Sequence, residues 1–133
     1  MLRPMMRDGP IPHAVHGMIE YVAAVVLILA PFVLGFDSGT ATALSIVVGV
    51  VILVIAAASE GPTSLVNQIP RPAHVALDYV LVVVLIALPF LAGFSGETAP
   101  TALFIVLGVA HLLVTIGTSF GSSAGPKASA SSR

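Results

Sequence analysis

The sequence has no cysteine and very little charge. Charged residues make up 8% of the 133 residues, and Lys and Arg together number five. The lack of cysteine excludes disulfide bonds, thiolate catalysis and cysteine-ligated metals. The formal net charge of −1 provides no basic surface for nucleic acid, so we expect no nucleic-acid partner. Because a soluble domain carries about 25% charged residues, the composition argues against water as the solvent for most of the surface.

Four long apolar runs fill most of the chain: residues 19–36, 41–58, 75–94 and 99–117. At about 1.5 Å per residue they span roughly 27–30 Å, close to the ~30 Å hydrocarbon core of a bilayer. Backbone polar groups in lipid must bond within their own segment, which predicts helices. The sequence therefore predicts an all-α, polytopic membrane protein embedded in a lipid bilayer. We place its four transmembrane helices at about residues 14–36, 41–59, 73–94 and 99–119.

The first half of the chain is repeated in the second half. Residues 11–36 align with residues 69–94 at an offset of 58, with 13 of 26 positions identical, and after one insertion the alignment continues at 59. Each half is therefore one structural unit, a helical hairpin. We define repeat 1 as residues 11–59 and repeat 2 as residues 69–119. Two helices per repeat insert both hairpins in the same orientation, as a tandem related by a pseudo-twofold axis along the membrane normal.

Three short segments lie outside the two repeats. Residues 1–10 are expected to form a flexible N-terminus, residues 60–68 a cytoplasmic connector, and residues 120–133 a disordered tail, which lacks large apolar residues from Gly121 onward. The domain organisation is therefore two membrane-embedded repeats joined by one short polar link.

Residues 30–36 (APFVLGF) and 88–94 (LPFLAGF) occupy equivalent places late in the first helix of each repeat. They resemble the SPW-repeat family of small bacterial membrane proteins, whose repeat has two helices with Ser-Pro-Trp, then often Leu-Gly-Phe, late in the first. The proline and the Gly-Phe pair match, whereas alanine or leucine stands for serine and phenylalanine for tryptophan. The resemblance covers residues 11–119. It implies a membrane-embedded two-repeat protein without a settled biochemical role, and it assigns no catalytic residue.

Pro31 and Pro89 are predicted to kink the first helix of each repeat, because a proline inside a helix removes one hydrogen bond. Neighbouring helices repair such a defect in a membrane. Gly35 and Gly93 are expected to allow a close approach of the backbone near each hairpin turn. We interpret all four residues as structural.

The basic residues all precede the first predicted helix, follow the last, or lie between the second and third, whereas the hairpin turns carry Asp37 and Glu97. The positive-inside rule then places both termini in the cytoplasm. Together with the resemblance, this predicts a multi-pass protein of the bacterial inner (plasma) membrane. The five basic residues are Arg3, Arg7, Arg71, Lys127 and Arg133.

Five ionisable residues lie within or beside the apolar runs, where such groups are costly and face the bundle interior. The spacing of four residues puts a histidine and a carboxylate on the same face of each first helix. Helical rise places all five at a similar depth, in the cytoplasmic half of the membrane. A pseudo-twofold bundle would bring the two carboxylates and the helix 4 histidine together. The candidate polar site consists of His16, Glu20, His74, Asp78 and His111.

Helices 2 and 4 carry matching stripes of small and polar residues, with spacings of three and four. This spacing is typical of a packed interface between membrane helices. The stripe of helix 2 contains Ser45, Gly49, Ile52, Ala56 and Ser59, and the stripe of helix 4 contains Phe104, Gly108, His111, Thr115 and Thr118.

Three interpretations of the polar site remain open. The histidine and carboxylate pairs can simply satisfy each other as a structural clasp, with His111 adding a hydrogen bond between helices. The cluster could instead titrate as a unit in a proton- or substrate-linked site. A metal site would use His13, His16 and Glu20 on one helix face. Because Arg71 replaces His13 in repeat 2, that set is not duplicated, and we assign no metal ligands.

The function expected from these features is that of a non-enzymatic structural or accessory module that acts by association. Its partner would be a second copy, as a homo-oligomer, or an unidentified membrane protein. The alternative is a small proton-coupled transporter that uses Glu20, Asp78 and His111. No nucleophile–base–orienter set, P-loop or HExxH motif is present, so we expect neither enzymatic activity nor a cofactor.

Overall fold

The computed structural model describes residues 10–119. They form four α-helices: α1 (His13–Leu34), α2 (Gly39–Ala58), α3 (Arg71–Leu91) and α4 (Thr98–Gly117). All four are long and apolar enough to cross a membrane. Between residues 10 and 119 there is no strand, only two isolated β-bridges. The predicted all-α fold with four membrane-spanning helices is therefore confirmed.

The predicted flexible N-terminus and disordered tail fall almost entirely outside the described part of the chain. Residues 1–9 and 120–133 are not described, and with them lie four of the five basic residues on which the predicted orientation depends. These expectations stay predictions. The four are Arg3, Arg7, Lys127 and Arg133.

The helices pack as two hairpins, α1 on α2 and α3 on α4, and α1 also contacts α4. The apolar core lies where the predicted stripes meet, and it includes Leu27, Ile52, Leu85 and Phe104. The rings of Phe94 and Phe104 meet edge to face with centroids 5.3 Å apart. Large apolar side chains on the outer faces remain exposed, as a helix bundle surrounded by lipid requires.

Each hairpin turn contains a glycine with left-handed backbone conformation, directly after α1 and one residue beyond the Ala92 cap of α3. Gly35 has φ 68° and Gly93 has φ 81°, a region that favours glycine over other residues. The helices therefore end earlier than predicted, α1 at Leu34 and α3 at Leu91. The backbone N–H of Phe36 donates to the Pro31 carbonyl at 3.1 Å, and repeat 2 has the same bond between the equivalent residues.

The close approach predicted for Gly35 and Gly93 was wrong. A Cβ atom at either position would meet no heavy atom within 4 Å, so backbone conformation, not crowding, requires glycine there. Crowding against the backbone of a neighbouring helix occurs instead at Gly49, in the middle of α2. Its Cβ would lie 2.8 Å from the carbonyl oxygen of Ala24. Gly108 occupies the equivalent place in α4 and faces the side chain of Ile86.

Pro31 and Pro89 are both buried, inside α1 and α3. Their side chains therefore face the bundle and not the surrounding lipid. The phenylalanines that follow them are exposed, Phe32 by 69% and Phe90 by 60%. In both repeats, residues 30–36 and 88–94, the proline therefore faces the bundle and the phenylalanine ring after it faces outward.

Short β-bridges tie the start of each repeat to the end of the other. Ile69, which begins repeat 2, pairs with Ser59 at the end of repeat 1. Ile11, which begins repeat 1, pairs with Thr118 at the end of repeat 2. The bridging N–H···O distances are 2.8–2.9 Å in both pairs. The two junctions between the repeats are therefore equivalent, although the chain runs continuously through only one of them.

The two hairpin turns are joined by Glu97. Its carboxylate accepts hydrogen bonds from the backbone N–H groups of Asp37 (2.5 Å) and Ser38 (2.9 Å) at the start of α2. A carboxylate is favourable at a helix N-terminus, where backbone N–H groups lack partners within the helix. From the sequence, Glu97 is predicted only as a turn residue, and this contact is not predicted. At the offset of 59, Glu97 is equivalent to Ser38, which itself caps α2 by accepting from Ala41.

Replacing Glu97 by alanine is expected to expose the Asp37 and Ser38 amides to solvent. Hydrogen exchange at these amides should accelerate about tenfold, because a hydrogen bond to a charged group contributes about 1.5 kcal/mol. Exchange measured by mass spectrometry on the full chain in detergent tests this. As a control, Glu60→Ala should leave these two amides unchanged, because Glu60 lies beyond the other end of α2. Equal exchange in Glu97→Ala and the unaltered protein would contradict the assignment.

Candidate functional site: a buried histidine–carboxylate cluster

The structure brings all five residues of the predicted polar site together. They lie where the beginnings of α1 and α3 meet the last two turns of α4. We call this group the histidine–carboxylate cluster. Burial of so many ionisable groups requires that they satisfy one another. The exposed fractions are 0% for His16, 3% for Glu20, 4% for His74, 2% for Asp78 and 6% for His111.

Each carboxylate contacts histidines from both repeats. Oε2 of Glu20 lies 2.9 Å from Nε2 of His16 on its own helix and 2.9 Å from Nε2 of His74 on α3. Asp78 mirrors this arrangement: Oδ1 lies 3.3 Å from Nε2 of His74, and Oδ2 lies 3.1 Å from Nε2 of His16. The four side chains therefore form a closed set with the pseudo-twofold relation predicted from the duplication.

The fifth residue, His111, breaks this symmetry. Its Nε2 lies 3.3 Å from Oδ1 of Asp78 and 3.9 Å from Oε2 of Glu20. This is the bond between helices that the sequence analysis expected for His111. At the equivalent position of repeat 1, Ile52 is buried and brings no polar group. The four-residue core is thus the duplicated part of the cluster, and His111 is an addition to it.

Hydroxyl groups hold the outer nitrogens of the two core histidines. Nδ1 of His16 lies 2.9 Å from Oγ1 of Thr118, and Nδ1 of His74 lies 2.5 Å from Oγ of Ser59. Each histidine therefore bonds to the end of the second helix of the other repeat. From the sequence, both hydroxyl residues are predicted only as members of packing stripes, and this role is not predicted. Their equivalence at the offset of 59 was the available signal.

The hydroxyl bonds determine which ring nitrogen carries a hydrogen. Thr118 donates its hydroxyl hydrogen to the Val114 carbonyl, and Ser59 donates its own to the Ile55 carbonyl. A hydroxyl has one hydrogen, so each of them must accept from the histidine, and Nδ1 carries the N–H. In a neutral ring of this tautomer, Nε2 has a lone pair and no hydrogen.

The lone pairs at Nε2 face carboxylate oxygens, so the cluster needs positive charge to offset their repulsion. Both Nε2 atoms lie 2.9 Å from the same oxygen of Glu20, and two lone pairs at that distance repel. One hydrogen on this oxygen could serve only one of the two histidines. Satisfying both contacts therefore requires two protons or one shared cation.

One atom of the cluster remains unsatisfied. Oδ2 of Asp78 accepts no hydrogen bond within residues 10–119, although its side chain is buried. Its 3.1 Å approach to Nε2 of His16 is a close contact that becomes ionic when His16 is protonated, but it lacks the angles of a hydrogen bond. A buried carboxylate oxygen without a donor is costly, which again points to a missing positive group.

The metal ligands considered in the sequence analysis differ from those the structure gathers. Among the described residues, the set that could hold an ion consists of His16, Glu20, His74 and Asp78, whose ligand atoms all lie within 4.8 Å of one another. His13 is not in this set. The second histidine and the second carboxylate come from the other repeat, which the helix-face argument did not include.

Fold and site together define a multi-pass helical membrane protein of two equivalent hairpins with a shared polar centre. A family model, the SPW repeat domain, matches residues 14–118. The chain belongs to the SPW repeat family, as the resemblance predicted. No curated protein sequence and no solved structure matches the chain significantly.

Proposed function

We propose that this SPW-repeat protein is a non-enzymatic structural or accessory module of the membrane, acting by association with a second copy or with another membrane protein. The observation that carries this proposal is the reciprocal bonding of the histidine–carboxylate cluster. Glu20 and Asp78 each contact histidines of both repeats, so their polar atoms are used to join the two hairpins.

The energetics of burial support a clasp. A buried ion pair contributes little compared with an apolar core, but removing one partner is strongly destabilising because the other remains uncompensated. Such a cluster therefore specifies one arrangement of the two hairpins more than it adds stability. A fixed arrangement presents a constant outer surface, which is what an accessory module needs. That surface is apolar and includes Phe32 and Phe90 at equivalent places.

The competing hypothesis is the proton-coupled transporter using Glu20, Asp78 and His111. Both hypotheses use the same residues, so an assay must separate flux from assembly. The full chain is reconstituted in lipid vesicles with an entrapped pH-sensitive dye, and the decay of an imposed pH gradient is recorded. Native mass spectrometry of membranes from expressing cells gives the stoichiometry.

The expected result is a gradient that decays as in protein-free vesicles, together with a complex of one defined stoichiometry. A protein that is monomeric and without partner in its native membrane would contradict the association proposal. Proton flux that Glu20→Gln with Asp78→Asn abolishes, while assembly persists, would favour the transporter.

We further propose that the protein resides in the bacterial inner membrane with both termini in the cytoplasm. Four membrane crossings put the two termini on the same side. Arg71 lies on that side, and the other four basic residues precede α1 or follow α4 in the sequence. The excess of positive charge there supports the cytoplasmic assignment.

A further inference from the structure

We propose that the histidine–carboxylate cluster is a divalent-metal site in which His16, Glu20, His74 and Asp78 ligate one ion of the zinc class. The inference uses the same cluster as the proposed clasp and goes beyond it, since a bound ion would make the joining of the two hairpins depend on metal. It departs from the sequence analysis, which assigned no metal ligands.

The donor atoms lie close enough together to surround one ion. With bonds of about 2.1 Å, neighbouring ligands of a tetrahedral zinc ion lie about 3.4 Å apart. Both histidine Nε2 atoms lie 2.9 Å from Oε2 of Glu20, whereas Asp78 approaches His74 through Oδ1 at 3.3 Å and His16 through Oδ2 at 3.1 Å. One donor atom from each of the four residues lies within 4.8 Å of the others, so an adjustment of these side chains would seat an ion between them.

The hydroxyl bonds orient the histidines as in metal sites. A metal-ligating histidine donates the N–H of one ring nitrogen to a neighbouring acceptor, which directs the lone pair of the other toward the ion. Ser59 and Thr118 act as such acceptors at Nδ1. The Nε2 lone pairs of His74 and His16 then point at the carboxylates, between which an ion would lie.

Charge balance also favours a divalent ion. Two carboxylates and two neutral imidazoles carry a charge of −2, which one divalent cation cancels. A neutral site has a lower cost than a charged one inside a membrane. One ion would offset the repulsion in both Nε2 contacts to Glu20, where two separate protons would otherwise be needed.

The unsatisfied oxygen of Asp78 is independent support for a missing ligand. Oδ2 is buried, accepts no hydrogen bond from the described residues and lies on the side of the carboxylate that approaches His16. A proton on Nε2 of His16 would face this oxygen at 3.1 Å without the angles of a hydrogen bond. Coordination to an ion would satisfy it directly.

The donor set defines the class of metal. Two imidazole nitrogens and two carboxylate oxygens suit zinc and neighbouring divalent ions, whereas calcium and magnesium prefer oxygen ligands alone. His111 is not required for the set, because Ile52 takes its place in the symmetric arrangement. The exposed carboxylate of Asp37 lies outside the cluster, so Asp37→Asn serves as the control.

The test uses the full chain, purified in detergent and stripped with a chelator. Zinc is titrated by calorimetry, and cobalt is titrated as a probe whose visible absorption reports tetrahedral geometry. We expect one ion per chain, with X-ray absorption showing two imidazole ligands. Asp37→Asn should keep this stoichiometry. Ser59→Ala with Thr118→Val should bind about 10–100-fold more weakly, as for other partners of metal-bound histidines.

Glu20→Gln with Asp78→Asn should bind no ion at the cluster. Their amide groups donate to the Nε2 lone pairs, so this variant retains hydrogen bonds between the hairpins while losing the anionic ligands. Absence of zinc binding by the unaltered protein would overturn the proposal, as would full binding by this double variant. The zinc stoichiometry and the X-ray absorption are both measured on the unaltered protein. The proposal can therefore be tested even if a variant misfolds.

The outcomes for metal and for clasp are separable. If the chain binds no zinc but loss of the carboxylates separates the hairpins, the clasp stands and the metal site fails. If zinc binds with two imidazole ligands but the hairpins stay together without the carboxylates, the metal site stands and the clasp fails.

Discussion

Replacement of both Glu20 and Asp78 by alanine is expected to lower the free energy of unfolding by about 3–5 kcal/mol and to separate the two hairpins. The change leaves the Nε2 atoms of His16 and His74 without their carboxylate partners in a buried site. It also leaves a cavity between α1 and α3. Because these carboxylates join the repeats, the loss should appear between hairpins and not within them.

Spin labels test this separation directly. The protein has no cysteine, so Met18→Cys and Ala73→Cys introduce two unique attachment points on exposed positions of α1 and α3. Double electron–electron resonance on the full chain in lipid should give a narrow distribution of distances between the two labels when the cluster is intact. The alanine variant should give a broad distribution shifted to longer distances.

Two further variants show whether loss of the buried carboxylates causes the separation of the hairpins. Asp37→Asn removes an exposed carboxylate at a hairpin turn and should leave the distribution narrow. Glu20→Gln with Asp78→Asn should give an intermediate result, because the amides still donate to the histidines. An unchanged distribution in the alanine variant would show that the cluster does not hold the hairpins together.

Gly49→Ala is expected to destabilise the first hairpin by about 1–3 kcal/mol, the usual cost of overpacking a core. The new methyl group would lie 2.8 Å from the Ala24 carbonyl oxygen, which belongs to the α1 backbone and cannot rotate away. The two helices of the hairpin must therefore move apart. Thermal unfolding of the full chain in detergent measures the change.

The equivalent substitution in the second hairpin serves as the control. Gly108→Ala brings a methyl group to 2.7 Å from Cγ1 of Ile86, a side chain that can adopt another rotamer. We expect it to cost clearly less than Gly49→Ala. Equal losses in the two variants would show that the backbone contact at Gly49 is not what sets the helix separation.

Much of this architecture follows from patterns that are local in the sequence. The length and composition of the apolar runs predicted four helices, because a bilayer fixes both. The duplication then predicted which faces meet, and the depth of Glu20, Asp78 and His111 predicted that they come together. The helices, the packed faces and the position of the cluster can each be predicted from helical rise, periodicity and symmetry.

The parts that sequence analysis missed depend on contacts between repeats. That Glu97 reaches the turn of the other hairpin, or that Ser59 bonds to His74, follows from the packing of distant segments and not from spacing along one helix. The close approach predicted for Gly35 was wrong, and a positive φ angle is what requires glycine there. Unlike burial, a dihedral angle leaves no periodic signal in the sequence. Glycine serves crowding and left-handed turns equally, and only coordinates distinguish the two.

The paired β-bridges at Ile11 and Ile69 have a consequence for how the protein is connected. The covalent link between the repeats lies at one of two equivalent junctions, and hydrogen bonds alone close the other. The molecule is therefore a closed cycle of two hairpins, opened once by its termini. A single hairpin meeting an identical twin would reproduce both junctions, which makes a symmetric pair of unlinked hairpins the natural precursor of this chain.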